Sequence, residues 1–157
     1  MMLAYRLVRL IETHSDALAA GLLEKVQHSE LTTSVKAHVP ADDLKQRVYE
    51  IYRHLGEWLL AKSAFDIELR YKEIGERRAQ QGVPISELIW TIVLTKENLW
   101  EFLKNQDLLQ APAEVLGELE VLQMLEQFFE RAIYYAAVGH EHARSGKCAP
   151  QASSAAN

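Results

Sequence analysis

Apolar residues recur along this chain at helical spacing and nowhere in a convincing strand alternation. Leu3, Leu7, Leu10 with Ile11, His14, Leu18 and Leu22 share one face and predict a first helix over about residues 2–27. His28 to Val39 is polar and β-branched (Ser29, Thr32, Thr33, Ser34) and reads as a connection. Pro40, followed by Asp42 and Asp43, marks the next start, because proline fits a first helical turn and acids suit its positive end. Leu44, Val48, Ile51, Leu55 and Leu59 carry that stripe to about Lys62. Ser63 reads as an N-cap with Asp66 three residues on, and Ile67, Tyr71 and Ile74 continue a third helix to Gln81. Gly82 and Pro84 are a stop and a restart. Ile85, Leu88, Ile89, Ile92 and Val93 open a fourth helix, Leu99, Trp100 and Leu103 continue it, and Asn105 and Asp107 break it. Pro112 starts the fifth and longest, with Leu116, Leu119, Leu122, Leu125, Phe129, Ile133 and Ala136 facing inward.

The pattern predicts an all-α fold, an antiparallel helical bundle of about five helices, because short connections make successive helices neighbours. The domain spans residues 1–144. Residues 145–157 are rich in Gly, Ser, Ala and Pro without periodicity and are expected to be a disordered tail.

Within this pattern the segment from Tyr71 to Pro84 is the most informative. Tyr71, Gly75 and Arg78 fall at i, i+4 and i+7 and so share a face. A mid-helix glycine costs roughly 1 kcal/mol relative to alanine. A position that accepts this cost often lets another backbone approach closely. Arg78 then projects from a packed face, either capping carbonyls or pairing with a carboxylate at the core edge, or anchoring a small ligand or partner helix.

Composition bounds the alternatives. A chain of 157 residues with 48% apolar and 25% charged residues is an ordinary single domain. A net charge of -5 argues against nucleic acid as a partner. Cys148 is the one cysteine, so no internal disulfide forms, and no Cys/His spacing resembles a zinc site. Arg6 and Arg9 interrupt the N-terminal apolar positions, which excludes a secretory signal, and no apolar run nears the ~20 residues of a membrane span. The expected location is the cytoplasm.

Candidate chemistry is sparse. Glu24 with His28, and Glu50 with His54, are one residue too long for the Glu-x-x-His pairs of di-metal bundles, and no cofactor is expected. His14 lies on the first apolar stripe, where it is a core or rim residue, or a group titrating near neutrality, or a haem ligand. Trp58 and Trp90, with Trp100, are core aromatics or pocket walls. No nucleophile elbow, phosphate-binding loop or zincin motif is present, which points away from an enzyme. On the fifth helix the adjacent apolar pairs Val115–Leu116, Met124–Leu125 and Phe128–Phe129 span more of the helix than one contact needs. Met124 or Phe128 is therefore expected to face a second subunit in a homodimer.

Three stretches carry a resemblance: Tyr49-Glu-Ile-Tyr-Arg-His-Leu-Gly-Glu-Trp58-Leu; Tyr71, Gly75, Arg78, Gly82 and Pro84 in their spacing; and Phe129-Glu-Arg-Ala-Ile-Tyr-Tyr135. With the opening Leu10-Ile-Glu-Thr-His14, they resemble the RsbRD N-terminal domain over about residues 5–143. That module is a helical input domain of co-antagonist proteins of the bacterial stressosome and related signalling proteins. The resemblance implies a non-enzymatic sensor in a stress response, which takes a small-molecule ligand or a partner protein and passes the signal on by helix rearrangement. Family modules precede an output domain, whereas this sequence ends at Asn157, so the expectation is either a signalling partner bound in trans or a free-standing relative with another role. The alternatives are a dimerisation scaffold or adaptor without ligand, and a haem- or metal-binding bundle.

Deleting Gly146 to Asn157 is expected to leave the melting temperature nearly unchanged, because this composition buries too little apolar surface to offset chain entropy. Calorimetry of the shortened protein checks this. A fall of more than about 5 °C, roughly 1–2 kcal/mol for a chain of this size, shows instead that the tail docks.

Overall fold

The computed structural model describes the backbone of residues 2–105 and 112–154, with side chains for residues 6–105 and 119–145. The helices are α1 (Met2–Thr13), α2 (Ser15–His28), α3 (Thr33–His38), α4 (Ala41–Arg53), α5 (Ala64–Gln80), α6 (Ile85–Lys104) and α7 (Pro112–Ser154). A 3-10 turn at Glu30–Thr32 precedes α3, and a π-helical turn at Glu57–Ala61 precedes α5. No strand occurs among the described residues, so the fold is all-α.

Among the described residues, seven α-helices replace the expected bundle of about five, for local reasons. The first stripe breaks at His14, where three consecutive polar side chains bond back to the preceding turn. Thr13 Oγ1 donates to Arg9 O (2.7 Å), His14 Nδ1 to Leu10 O (2.8 Å) and Ser15 Oγ to Glu12 O (2.8 Å). Such bonds compete with the helix's own ladder. His14 consequently sits exposed at the break rather than on a buried stripe. The polar stretch after His28 is not an open connection. Thr32, fully buried, donates to Val26 O at 2.8 Å and folds the chain into the 3-10 turn and α3. The expected second helix ends at Arg53 and resumes as the π turn.

The third and fourth helices match the pattern closely. Ser63 Oγ accepts from Asp66 N (3.2 Å) while Ser63 N donates to Asp66 Oδ2 (2.8 Å), a reciprocal capping box. These bonds from Ser63, backbone first, hold the Asp66 carboxyl below the ordinary range. At the other end Gly82 takes φ +82°, where a side chain is strained, and Val83 N closes the turn on Arg78 O at 3.0 Å. Lys104 ends α6, and α7 runs to Ser154, past the residue-144 boundary drawn from the sequence. Val115 and Leu116 lie outside the residues whose side chains are described.

The Gly82 turn sends α6 back against α5, and α7 returns alongside α5 in the same direction. Tyr71 meets Phe128 early in the pair, and Val83 meets His140 at its far end. The most intimate helix pair is thus parallel, against the expectation of antiparallel neighbours. On the α6–α7 seam, Glu126 accepts from Trp100 Nε1 (2.9 Å) and Lys96 Nζ (3.0 Å).

The core, built on Ile11, Leu22, Val26, Leu55, Leu99 and Leu125, encloses a polar network joining α2, α4 and α6. Tyr52, fully buried, donates its hydroxyl to Thr95 O at 2.8 Å. Asn98 Nδ2 donates to Leu18 O at 2.8 Å and, more weakly, to Tyr52 Oη at 3.5 Å. Burial pushes the phenols of Tyr52 and Tyr71 well above the ordinary tyrosine value, because the anion would lose its hydration. A group whose folded-state value is raised contributes stability that is complete below its unfolded value and is lost as pH rises. The expected result is a plateau in unfolding free energy below about pH 10, the ordinary tyrosine value, and a decline above it. Denaturant titrations at pH 9 and 11 check this, and replacing both tyrosines by Phe should flatten the decline.

Candidate functional site

The face bearing Tyr71, Gly75 and Arg78 is buried, with Tyr71 3% and Arg78 5% exposed. It packs on α7. A Cβ built on Gly75 would lie 2.0 Å from Ala136 O and 2.8 Å from His140 N. A Cβ on Gly139 would lie 2.1 Å from Lys72 O and 2.7 Å from Lys72 Cα. Both helices therefore meet backbone against backbone, with a glycine on each side. The close approach inferred from Gly75 is present, and its occupant is a helix of the same chain. No side chain of any size fits at the crossing itself.

Side chains lock the crossing at both ends. Toward its start, Phe128 packs edge-on against Tyr71 (5.7 Å between centroids) and Phe129 (5.4 Å), and lies 6.1 Å from Trp58. Trp58 is held by the π turn, with Lys62 Nζ 5.8 Å from its ring centroid. Toward its end, His140 is 2% exposed and its Nε2 lies 2.7 Å from Val83 O. A carbonyl only accepts, so Nε2 carries the proton, and Nδ1 is buried without a hydrogen-bond partner among the described residues. This bond ties α7 to the α5–α6 turn.

Arg78 ties the same region to α4. Its Nη1 donates to Gln81 Oε1 at 2.7 Å and lies 3.5 Å from Asp43 Oδ2, while the other oxygen of Asp43 lies 3.7 Å from Arg47 Nε. Burial draws the Arg78 guanidinium below its ordinary value and Asp43 opposes the shift. Asp43 comes from the acidic first turn of α4, so the carboxylate that favours that helix end also receives Arg78.

The remaining sequence candidates disperse. His14 stacks its ring against Phe102 (5.2 Å, tilted) at the α1–α2 break. Trp90, on α6, is half-buried and its indole nitrogen is buried without an acceptor. Met124 is half-buried on α7. Phe128 is 3% exposed inside the aromatic cluster just described, so it is a core residue and offers no surface to a second subunit. The pair Phe128–Phe129 is wide because α7 packs on several other helices at once, and both of its members are buried. Gly139 was not singled out from the sequence, and Asp43 was read only as an acid of a helix start. The signal for Gly139 was the one that identified Gly75, a glycine inside a strong helical pattern beside the small residues Ala136 and Ala137. No three His, Cys, Asp or Glu side chains among the described residues are placed to hold a metal ion.

Arg78→Ala is expected to destabilise the protein by about 2–3 kcal/mol, because it removes a buried charged partner from Asp43 and Gln81. Arg77→Ala, about 100° around the helix, should cost less than about 1 kcal/mol. Urea denaturation of the two variants checks the difference, and equal small effects contradict the anchoring role.

Neither the curated proteins nor the solved structures provide a significant match to this chain. One family does: the family described as the RsbT co-antagonist protein rsbRD N-terminal domain matches residues 16–147, more than four fifths of the chain, from the first turn of α2 through all of α3 to α6. The matched span includes both crossing glycines, Arg78 and the Gly82 turn, and the chain belongs to this family of rsbRD N-terminal domains.

Proposed function

We propose that this protein is a cytoplasmic, non-enzymatic input module of stressosome-type signalling, which receives a small molecule or partner protein and answers by shifting α7 against α5. The observation that carries this reading is the glycine crossing. Two helices in backbone contact have no compressible side chains between them, so neither can press closer and a displacement of one has to slide along the other or lift away from it. Helix shifts of roughly 1–2 Å at such contacts are an established form of switching. α7 is also the longest helix, at 43 residues, and so the natural carrier of a displacement away from the bundle. The family description names RsbT, and the partner class proposed on that ground is an assembly that includes it. No helix among the described residues is long and apolar enough to cross a membrane.

The scaffold reading has one observation in its favour. Phe65 (63%), Leu69 (53%) and Tyr134 (64%) stand exposed on α5 and α7. Self-association, if it occurs, uses residues of this kind rather than Phe128.

Spin labels at Glu73 on α5 and Glu141 on α7, both exposed, report the crossing directly. Addition of RsbT-containing assemblies is expected to change the label distance by about 1–2 Å. Gly75→Ala should change it without any partner, since the new methyl group forces the helices apart. Binding with an unchanged distance would contradict transmission and favour the scaffold. An absence of binding would contradict the partner assignment.

A further inference from the structure

A groove of about 510 Å³ lies between α2 and α6, away from the glycine crossing. On α6, Asn98, Glu101 and Phe102 fall at i, i+3 and i+4 and share one face. On α2, Gly21, Glu24 and Lys25 face them. Asn98 is 7% exposed and its amide nitrogen is committed to Leu18 O and Tyr52. That commitment fixes which end of the amide is the oxygen. Asn98 Oδ1 is turned toward Gly21, where a Cβ would lie 3.0 Å from it, and it receives no hydrogen bond from the described residues. A mid-helix glycine on α2 thus keeps an oriented acceptor open at the groove floor.

The charge balance of the groove has one sign. Glu24 and Glu101 supply two carboxylates against one ammonium, Lys25, and the one other ionisable lining group, His28, is bonded through Nδ1 to Glu24 O. Lys25 Nζ already donates across the groove to Glu101 Oε2, and it holds that carboxyl below the ordinary range. Both side chains are substantially exposed, at 32% and 62%, so this pair is a weak one that a competitor can open. An ammonium in the groove therefore finds Glu101 and Asn98 Oδ1 one helical turn apart, with the Phe102 ring beside its alkyl chain.

We propose that the groove between α2 and α6 binds a small primary amine, with Asn98 and Glu101 receiving the ammonium in competition with Lys25. The site rests on the sensory reading for its purpose, and it deepens it. Its floor residue, Asn98, is bonded to Tyr52 of α4, and α4 is bonded through Asp43 to Arg78 of α5. A ligand that draws on Asn98 pulls on the network adjoining the crossing.

The test is a chemical-shift titration of the full chain with n-butylamine hydrochloride, and with sodium butyrate at matched ionic strength. Butylamine should shift the amides of α2 and α6 around Gly21 and Asn98 saturably, with a dissociation constant on the order of millimolar for so small a ligand. Butyrate should not. Lys25→Met should tighten butylamine binding about three-fold by removing the competing cation. Glu101→Gln should weaken it about ten-fold, within the range for a charged hydrogen-bond acceptor. Ala17→Phe, at an exposed groove position, should block it while leaving the melting temperature in place. The proposal is overturned if no saturable shift appears at tens of millimolar (order-of-magnitude range for such fragments), if butyrate binds as well, or if Lys25→Met weakens binding. Binding is read at the groove and transmission at the α5–α7 distance, so failure of the site and failure of the sensory reading are seen separately.

Discussion

Everything distinctive about this bundle depends on the contact between the backbones of α5 and α7. Helices normally stand 8–10 Å apart because side chains separate them. Here Gly75 and Gly139 remove the side chains from both sides of one crossing, and carbonyls pack where methyl groups would collide. Each glycine costs its helix roughly 1 kcal/mol in intrinsic propensity. The close approach offsets that cost through the contacts it permits on either side. The Tyr71, Phe128, Trp58 cluster closes one end, and the bond between His140 and Val83 O closes the other. Two parallel helices held this way form one packed body whose remaining freedom is to slide along the contact or part at it, and the α5–α6 turn is tied to both.

The rest of the molecule is arranged around that body. α4 is drawn onto it through Asp43 and Arg78 and, further along, through Glu50 and Arg70 at 3.3 Å. α6 is fastened to α7 by the two bonds that converge on Glu126. α2 joins α4 and α6 through the buried network of Tyr52, Thr95 and Asn98. In the proposed reading a signal enters where these attachments are polar and exposed and leaves where the backbones touch. Polar attachments can be outbid by a ligand or a partner, and a backbone contact cannot yield without moving a helix. That division of labour suits the input role proposed above.

Much of this was legible in the residues, and the misses have physical causes. Gly75 announced a close approach, because glycine inside a strong helical pattern needs a compensating contact. Gly82 with Pro84, and Ser63 with Asp66, announced turns and caps whose chemistry is local, and both formed as expected. The break at His14 was missed because periodicity weighs the stripe and ignores backbone competition from three consecutive polar side chains. The parallel pairing of α5 and α7 was missed because loop length constrains successive helices only. Phe128 was assigned to a dimer surface on the width of its apolar stripe, but that width reflects a helix packed on several neighbours. The partner of Arg78 could be guessed only as some carboxylate, since Asp43 is 35 residues away in sequence and its place is set by the tertiary fold.

The central claim is that Gly75 and Gly139 are two halves of one contact. A double-mutant cycle tests it most directly, with Gly75→Ala, Gly139→Ala and the pair compared by urea denaturation. Either methyl group alone must force the helices apart, at a cost of about 3 kcal/mol or more, because the obstruction is backbone and cannot swing aside. Once they are apart the second methyl group meets little further resistance. The account predicts that the double variant is barely less stable than either single one, a coupling of at least about 2 kcal/mol. Additive losses would show that the two glycines act independently and that the backbones do not meet as described.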